Sequence, residues 1–283
     1  MKDTPHILDC TLRDGGYLNN WNFPRDLVRN YLSAVHKAGI KFTELGFRFL
    51  HKNINYGEYA YSRDDYLYNL DIPDGLNVAV MIKSEELFSS GAKIKKALDY
   101  LFSERKNSPV SLVRIAAPYH TAASCREITE ILKDKGYKIS LNLTKIFPVD
   151  EKEILAITKI LKEWGSFDIL YFADTYGNIS GNEVKCILNI LKSEFKIPLG
   201  FHAHNNNGLA YENSLIAVKN GSNLIDSTIA GMGKGAGNLK TEVISKKFSH
   251  KYNVNALESL LKANFYYGAE NNTVNYTGST LLS

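Results

Sequence analysis

The stretch IPLGFHAHNNNGLA, residues 197–210, contains one complete transition from a strand into a loop. Its apolar start predicts a short buried strand over 197–201, and His202 and His204 follow at the carboxyl end. Side chains two residues apart on a strand project from the same face, so both imidazoles point the same way. Two imidazoles with a carboxylate suit a divalent cation, whereas the plainer interpretation is two solvated or core-bonded histidines.

The same alternation of short apolar strands and amphipathic helices runs through the rest of the chain. A Ser or Asp followed three residues later by Glu marks helix starts at Ser124, Asp150 and Ser180. Glycines mark helix ends at Gly39, Gly136 and Gly221. The predicted strands lie at 7–12, 42–47, 76–81, 112–116, 138–143, 169–173, 198–202 and 224–229.

Eight strands, each followed by a helix, predict an α/β fold of the (β/α)8 TIM barrel type. An open, doubly wound parallel sheet is the competing architecture, and strand counting alone does not exclude it. We expect a catalytic domain over residues 1–252. Residues 253–283 should form a short C-terminal helical extension, with a helix at 256–263 and a polar tail, packed on the barrel or at an oligomer interface.

Composition excludes several classes of protein. The chain of 283 residues is 44% apolar and 23% charged, with a net charge of +4, which is typical of a globular protein. Its basic residues are scattered, so we expect no nucleic-acid partner. Three widely spaced cysteines suggest neither a disulfide framework nor a cysteine zinc site. No apolar signal or membrane-spanning run is present, and we expect a cytoplasmic protein without a membrane partner.

The residues capable of chemistry follow the predicted strands. Arg13 and Asp14 come after strand one, Glu44 and Arg48 flank the end of strand two, and a glycine-rich loop over 231–238 follows strand eight. In a barrel, the loops at the carboxyl ends of the strands form the functional face. Strands seven, eight and one are neighbours there, so Asp14 and the histidine pair should meet.

Five motifs resemble those of the DRE-TIM metallolyases, a superfamily that includes 4-hydroxy-2-oxovalerate aldolase, hydroxymethylglutaryl-CoA lyase and isopropylmalate synthase. They span residues 7 to about 242 in the expected order. The motifs are LRDG at 12–15, ELGF at 44–47, DTYG at 174–177, HAHNNNGLA at 202–210 and DSTIAGMGKGAGN at 226–238.

The resemblance implies a role for each matching residue. Asp14, His202 and His204 would bind a divalent metal, with Asn238 as a further oxygen ligand; Mn²⁺ or Mg²⁺ is favoured and Zn²⁺ is a third candidate. Arg13 would stabilise an enolate oxygen, and Glu44 would hold Arg13 in place, although the two could also be a structural ion pair. The implied substrate contacts are Arg13, Arg48, Asp174, Thr175 and Lys234.

The residue that transfers the proton departs from the family pattern. Tyr17 stands where the aldolases carry a histidine and the Claisen-type synthases carry a glutamine. Tyr17 could act as general acid or base or only line the pocket. His120, after strand four, is a second candidate, although an exposed loop histidine is the plainer interpretation.

These features predict a metal-dependent aldolase or retro-aldolase, a carbon–carbon lyase that acts on the enolate of a pyruvate-like 2-oxo acid. One alternative is a Claisen-type transferase that condenses acetyl-CoA with a 2-oxo acid. A second is a catalytically silent metal-binding barrel that serves as a partner subunit. A Schiff-base aldolase using Lys145 and a metal hydrolase fit the sequence less well. We expect a homodimer, because the tyrosine-rich segment 57–68 and the polar tail leave room for a contact between subunits.

Overall fold

A computed structural model describes residues 4–148 and 150–263. Its eight parallel strands close into a barrel, with each strand paired to the next and β8 paired to β1. This confirms the TIM barrel and excludes the open sheet. The strands are β1 His6–Asp9, β2 Phe42–Phe47, β3 Asn77–Lys83, β4 Val110–Pro118, β5 Lys138–Thr144, β6 Ile169–Asp174, β7 Leu199–Ala203 and β8 Leu224–Ser227.

Helices surround the barrel and bury their apolar faces against it. The helices are α1 Thr11–Asp14, α2 Arg25–Lys37, α3 Asp64–Leu67, α4 Ser84–Ser89, α5 Ile94–Leu101, α6 Arg126–Asp134, α7 Glu151–Trp164, α8 Gly181–Glu194, α9 Ala210–Lys219, α10 Thr241–Lys247 and α11 Val254–Lys262. The main core lies between strands and helices, and a small apolar cluster of Leu8, Cys10, Ala79 and Leu112 is buried separately. No helix of the described ranges is long and apolar enough to cross a membrane.

Two of the three predicted capping signals are correct. Asp150 accepts hydrogen bonds from the backbone N–H groups at the start of α7, and Ser180 forms a reciprocal capping box with Glu183 at the start of α8. Ser124 was predicted wrongly, because it lies within the 3-10 turn Tyr119–Cys125 and α6 begins after it. The three predicted glycine stops are correct, and all three glycines have a positive φ.

The first strand is shorter than predicted. It ends at Asp9, whose carboxylate accepts hydrogen bonds from the backbone N–H and the hydroxyl of Thr11. This local bond turns the chain into the short helix α1, which carries Arg13 and Asp14 onto the barrel mouth.

The predicted C-terminal helix is present as α11. Leu257 and Leu260 bury its apolar side, and the helix packs against α2 and α10 of the barrel. The predicted polar tail from residue 264 onward lies outside the described residues, so the division into residues 1–252 and 253–283 stays a prediction.

Candidate active site

A cavity of about 410 Å³ opens at the carboxyl ends of the strands. This volume is within the range of small-molecule sites. Seven of the predicted site residues line it, and they come from α1, the 3-10 turn that follows it, the end of β7, and the loops after β6, β7 and β8. They are Arg13, Asp14, Tyr17, Thr175, His202, His204 and Lys234.

The predicted metal ligands converge on one carboxylate oxygen. Oδ2 of Asp14 lies 3.3 Å from Nε2 of His202 and 3.7 Å from Nε2 of His204. The sequence separates Asp14 from these histidines by nearly the whole barrel, and closure between β8 and β1 brings them together.

A hydrogen bond at Nδ1 orients the ring of each histidine. Nδ1 of His202 lies 3.0 Å from Oδ2 of Asp226, and Nδ1 of His204 lies 2.7 Å from the backbone oxygen of Thr175. Because those oxygens accept a hydrogen bond from each Nδ1–H, each Nε2 is directed toward Asp14. An acceptor behind each metal-binding imidazole is the usual arrangement in metal sites.

Several buried oxygen atoms in this region have no hydrogen-bond partner among the described residues, and two of them, Oδ2 of Asp14 and Oδ1 of Asn238, belong to predicted metal ligands. The Asp14 oxygen is also ion-paired with Nη1 of Arg13 at 3.1 Å. Asn238 lies beside His204 through a backbone bridge, and its amide nitrogen donates to the backbone oxygen of Met232 at 3.0 Å. Leaving buried oxygens unsatisfied is costly, so this donor set fits a divalent cation.

The glycine-rich loop permits this placement of Asn238. A Cβ on Gly233 would lie 2.1 Å from the Asn238 amide nitrogen, so only glycine leaves room for that side chain. Gly237 has φ +81° and approaches the backbone oxygen of Gly231. The loop therefore fits the sequence interpretation of a tight turn that presents Asn238.

Charges around Asp14 and His202 reinforce each other. Burial opposes ionisation of Asp14, but the Arg13 guanidinium and the two imidazoles hold its pKa well below the usual value. Burial also opposes charge on His202, yet Asp14 and Asp226 raise its pKa. The position between Nε2 of His202 and Asp14 therefore favours a positive charge, which a proton or a metal ion can supply.

Arg13 is held rigidly at the edge of the cavity. Its Nε donates to Glu44 at 2.7 Å, and its Nη1 lies 3.1 Å from Asp14. Trp21 donates its indole N–H to the backbone oxygen of Arg13 at 2.8 Å. Burial disfavours the guanidinium charge, but Asp14 and Glu44 raise the pKa of Arg13 well above its ordinary value. The predicted pairing of Arg13 with Glu44 is therefore present, and Glu44 lies behind the cavity.

Tyr17 lines the cavity beside Arg13. Its ring packs edge-on against Trp21 and Phe47, with ring centroids 4.8 Å and 6.0 Å away. Burial raises the pKa of the Tyr17 hydroxyl to about 12. Tyr17 therefore keeps its proton at neutral pH and can donate a hydrogen bond or a proton.

Five predicted site residues do not line the cavity, namely Glu44 and Asn238, which lie directly behind it, and Arg48, Asp174 and His120. Arg48 is buried elsewhere, where it pairs with Asp64 and packs over the ring of Phe102. Asp174 accepts the backbone N–H groups of residues 178 and 179, so it shapes the loop after β6. His120 is exposed in the turn after β4 and contacts the Tyr119 ring. The structure therefore places Arg48, Asp174 and His120 outside the cavity lining, and it gives no support to the substrate roles of Arg48 and Asp174 or the catalytic role of His120.

Sequence reasoning missed a buried ion network beneath the metal ligands. Arg114 on β4 donates to Glu44 at 3.1 Å and to Asp226 at 2.6 Å, and it is fully buried. Arg114 therefore links Glu44, which pairs with Arg13, to Asp226, which contacts His202. The residue lies within a mainly apolar strand, and its two partners lie 70 and 112 residues away along the chain, so no local pattern signals it.

Cys10 also lies near the ligands. Its sulfur and ligand atoms of Asp14 and His202 all lie within 4.8 Å of one another. Burial raises the pKa of the Cys10 thiol well above its usual value, and the thiol donates to the backbone oxygen of Ser227. Cys10 therefore remains a thiol here, whereas a metal ligand would be a thiolate.

A family model described as HMGL-like matches residues 115–262. The chain belongs to the HMGL-like family. This places it among the DRE-TIM metallolyases, as the five motifs predicted, and it is a carbon–carbon lyase of the aldolase type. The family depends on a divalent metal.

Relatives in this family align over most of the barrel. A 4-hydroxy-2-oxovalerate aldolase of Geobacillus genomosp. 3 is 29% identical over 86% of this chain and 70% of its own length. One from Pelotomaculum thermopropionicum is 31% identical over 84% of this chain and 68% of its own length. The crystal structure of the N-terminal domain of a putative aldolase from Bacteroides vulgatus is 28% identical, with a TM-score of 0.80, over 91% of this chain and 85% of that one.

Proposed function

We propose that the protein forms or cleaves the bond between C3 of a pyruvate-like 2-oxo acid and the carbonyl carbon of an aldehyde. The substrate class is that of 4-hydroxy-2-oxo acids, after the activity named for its relatives. The observation that supports this best is the convergence of Asp14, His202 and His204 beside Arg13 in one cavity.

Asp14, His202 and His204 would hold the metal ion, and Asn238 would add an amide oxygen. We favour Mg²⁺ or Mn²⁺ because two of the four donors are oxygens, and Zn²⁺ is the third candidate. A divalent ion bound there supplies Lewis-acid stabilisation of the enolate, worth several kcal/mol.

Arg13 would donate to the C2 oxygen as negative charge develops on it. Its fixed guanidinium loses little orientational freedom, because Glu44 and the Trp21 indole already hold the residue. Removing one such preorganised donor typically costs about 3–4 kcal/mol of barrier. Thr175 and Lys234 would contact the rest of the substrate from the loops after β6 and β8.

Tyr17 would serve as the general acid for the aldehyde oxygen. In the direction of bond formation, C3 of the enolate attacks the aldehyde carbon, and the oxygen of that carbonyl takes the Tyr17 proton. The tyrosinate then regains a proton from water. A phenol with a pKa of about 12 is protonated at neutral pH, so it cannot act as a base there. It is a stronger acid than an alcohol, however, and can therefore protonate an alkoxide.

The test compares the metal-free protein with protein reconstituted with Mg²⁺, Mn²⁺ or Zn²⁺. We expect metal-dependent exchange of the C3 protons of pyruvate for deuterium, and metal-dependent cleavage of 4-hydroxy-2-oxo acids. Asp14→Asn should abolish both. Full turnover without metal would overturn the mechanism. Metal and pyruvate binding without exchange would instead support a silent barrel, and thiol release from acetyl-CoA with a 2-oxo acid would support the Claisen alternative.

We further propose a cytoplasmic homodimer. The cysteines of the described residues are all free, which suits a reducing compartment. Exposed Ile54 and Tyr68, in the segment that follows β2, offer apolar surface for a subunit contact. Sedimentation equilibrium tests the dimer, and a monomer at micromolar concentration would exclude it.

A further inference from the structure

Lys83 is a cavity residue that neither the metal site nor the proposed proton transfer uses. It is the last residue of β3, at the carboxyl edge where the cavity opens, and it lines that cavity. Its Nζ lies 5.1 Å from the ring centroids of Phe47 and Phe49 and 5.6 Å from that of Tyr17. Three aromatic rings therefore surround the ammonium group and favour its positive charge.

No carboxylate of the described residues lies within ion-pair distance of Lys83. The nearby Glu86 carboxylate does not form an ion pair with Lys83, and its Oε1 instead accepts the backbone N–H groups of Leu50 and His51 at 3.0 Å and 3.1 Å. Arg13 lies over the same Phe47 ring at 5.8 Å and repels Lys83. Burial lowers the pKa of Lys83; the Glu86 carboxylate opposes this effect, and Arg13 adds to it. A half-buried ammonium next to a second cation is stabilised by an anion.

The remaining charges of the cavity leave positive charge in excess. Its lining has four cationic side chains and three carboxylates. Arg13 pairs with Asp14 and Glu44, and Lys145 pairs with Glu85 at 2.9 Å. In the described part of the chain, Lys83 and Lys234 have no carboxylate within 4.0 Å. A divalent ion would add two further positive charges, which is more than the single carboxylate of a 2-oxo acid offsets.

We propose that the Lys83 ammonium, held in place by the rings of Tyr17, Phe47 and Phe49, forms a subsite for an anionic group on the aldehyde half of the substrate. This inference rests on the proposed aldolase function. The aldehyde would then carry a carboxylate or a phosphate, and the cavity would prefer it to a neutral aldehyde of the same length. Lys234, on the glycine-rich loop, lines the same cavity but makes no cation–ring contact with these three side chains among the described residues.

The experiment uses metal-loaded enzyme with pyruvate and matched pairs of aldehydes. Succinic semialdehyde is compared with butyraldehyde, and glyceraldehyde 3-phosphate with glyceraldehyde, so that the two pairs separate carboxylate from phosphate. We expect kcat/KM for one anionic aldehyde to exceed that of its neutral partner at least tenfold. Lys83→Met should remove this preference by raising KM for the anionic aldehyde, and Lys83→Arg should restore part of it. Lys96→Met, which removes an exposed charge from α5, is the matched control and should keep the preference.

A binding measurement separates failure of the subsite from failure of the aldolase proposal. Inorganic phosphate and acetate are titrated by calorimetry into enzyme saturated with Mg²⁺ and oxalate. Anion binding that weakens at least fivefold in Lys83→Met supports the subsite even if pyruvate exchange is absent. If exchange proceeds but the neutral aldehydes are preferred, or if Lys83→Met leaves both anion binding and the preference unchanged, the subsite is overturned.

Discussion

Oδ2 of Asp226 accepts from both His202 Nδ1, at 3.0 Å, and Arg114, at 2.6 Å. One carboxylate oxygen therefore orients an imidazole of the proposed metal site and also pairs with a buried guanidinium. The geometry of the proposed metal site and the stability of the barrel interior thus depend on the same atom. Separate experiments can measure the two contributions.

Removing the Asp226 carboxylate should weaken metal binding. Without this acceptor the His202 ring loses its fixed orientation, and such losses typically cost 10- to 100-fold in metal affinity. We expect this range for Asp226→Ala and a smaller loss for Asp226→Asn, which keeps an acceptor oxygen. Calorimetry with Mn²⁺ measures both. Asp168→Asn, at a partly exposed pair with Lys133, is the control, and wild-type affinity in Asp226→Ala would refute the role.

Removing Arg114 should destabilise the barrel strongly. The residue is fully buried, and its loss leaves the carboxylates of Glu44 and Asp226 without their shared cation. Breaking a buried ion pair from one side costs about 3–5 kcal/mol. We expect that decrease in the free energy of unfolding for Arg114→Met, measured in urea. The exposed pair of Arg126 with Glu130 offers the comparison, since Arg126→Met should cost less than about 1 kcal/mol. Equal effects in the two variants would contradict the network.

The pH profile should report the identity of the proton donor. A donor works in its protonated form, and burial raises the pKa of Tyr17 to about 12. Ionisation of Tyr17 should therefore cause no change in the rate of condensation between pH 6 and pH 10. Tyr17→His introduces an imidazole with a pKa of about 6.5. The fraction of protonated imidazole, and with it the rate of condensation, should therefore fall as the pH rises through that value. Tyr17→Phe should lower kcat about 100-fold with unchanged Mn²⁺ affinity. If Tyr17→Phe keeps the wild-type kcat, Tyr17 only lines the cavity and is not the proton donor.

The strands and the shared direction of His202 and His204 were predictable because each depends on a local pattern. Apolar runs mark the strands, and His-x-His at a strand end fixes the direction of both rings. The sequence did not predict that Arg48 lies outside the cavity, because its partner, Asp64, lies on a helix after β2 whose packing no local pattern reveals. Arg114 was missed for a related reason. Its charge is tolerated only because Glu44 and Asp226 meet it once the barrel closes, and periodicity does not report such distant pairing.

Helix starts show the same limit on a smaller scale and allow a matched test. Ser180 and Glu183 exchange hydrogen bonds at the start of α8, whereas Ser124 stands in the turn before α6, which begins without a side-chain cap. Losing a capping serine typically costs about 1 kcal/mol. We therefore expect Ser180→Ala to lower the free energy of unfolding in urea by about that amount. Ser124→Ala, which has the same sequence spacing to Glu127, should stay within about 0.5 kcal/mol of the wild type. Equal losses would mean that the spacing, rather than the hydrogen bonds formed, determines the stability of these helix starts.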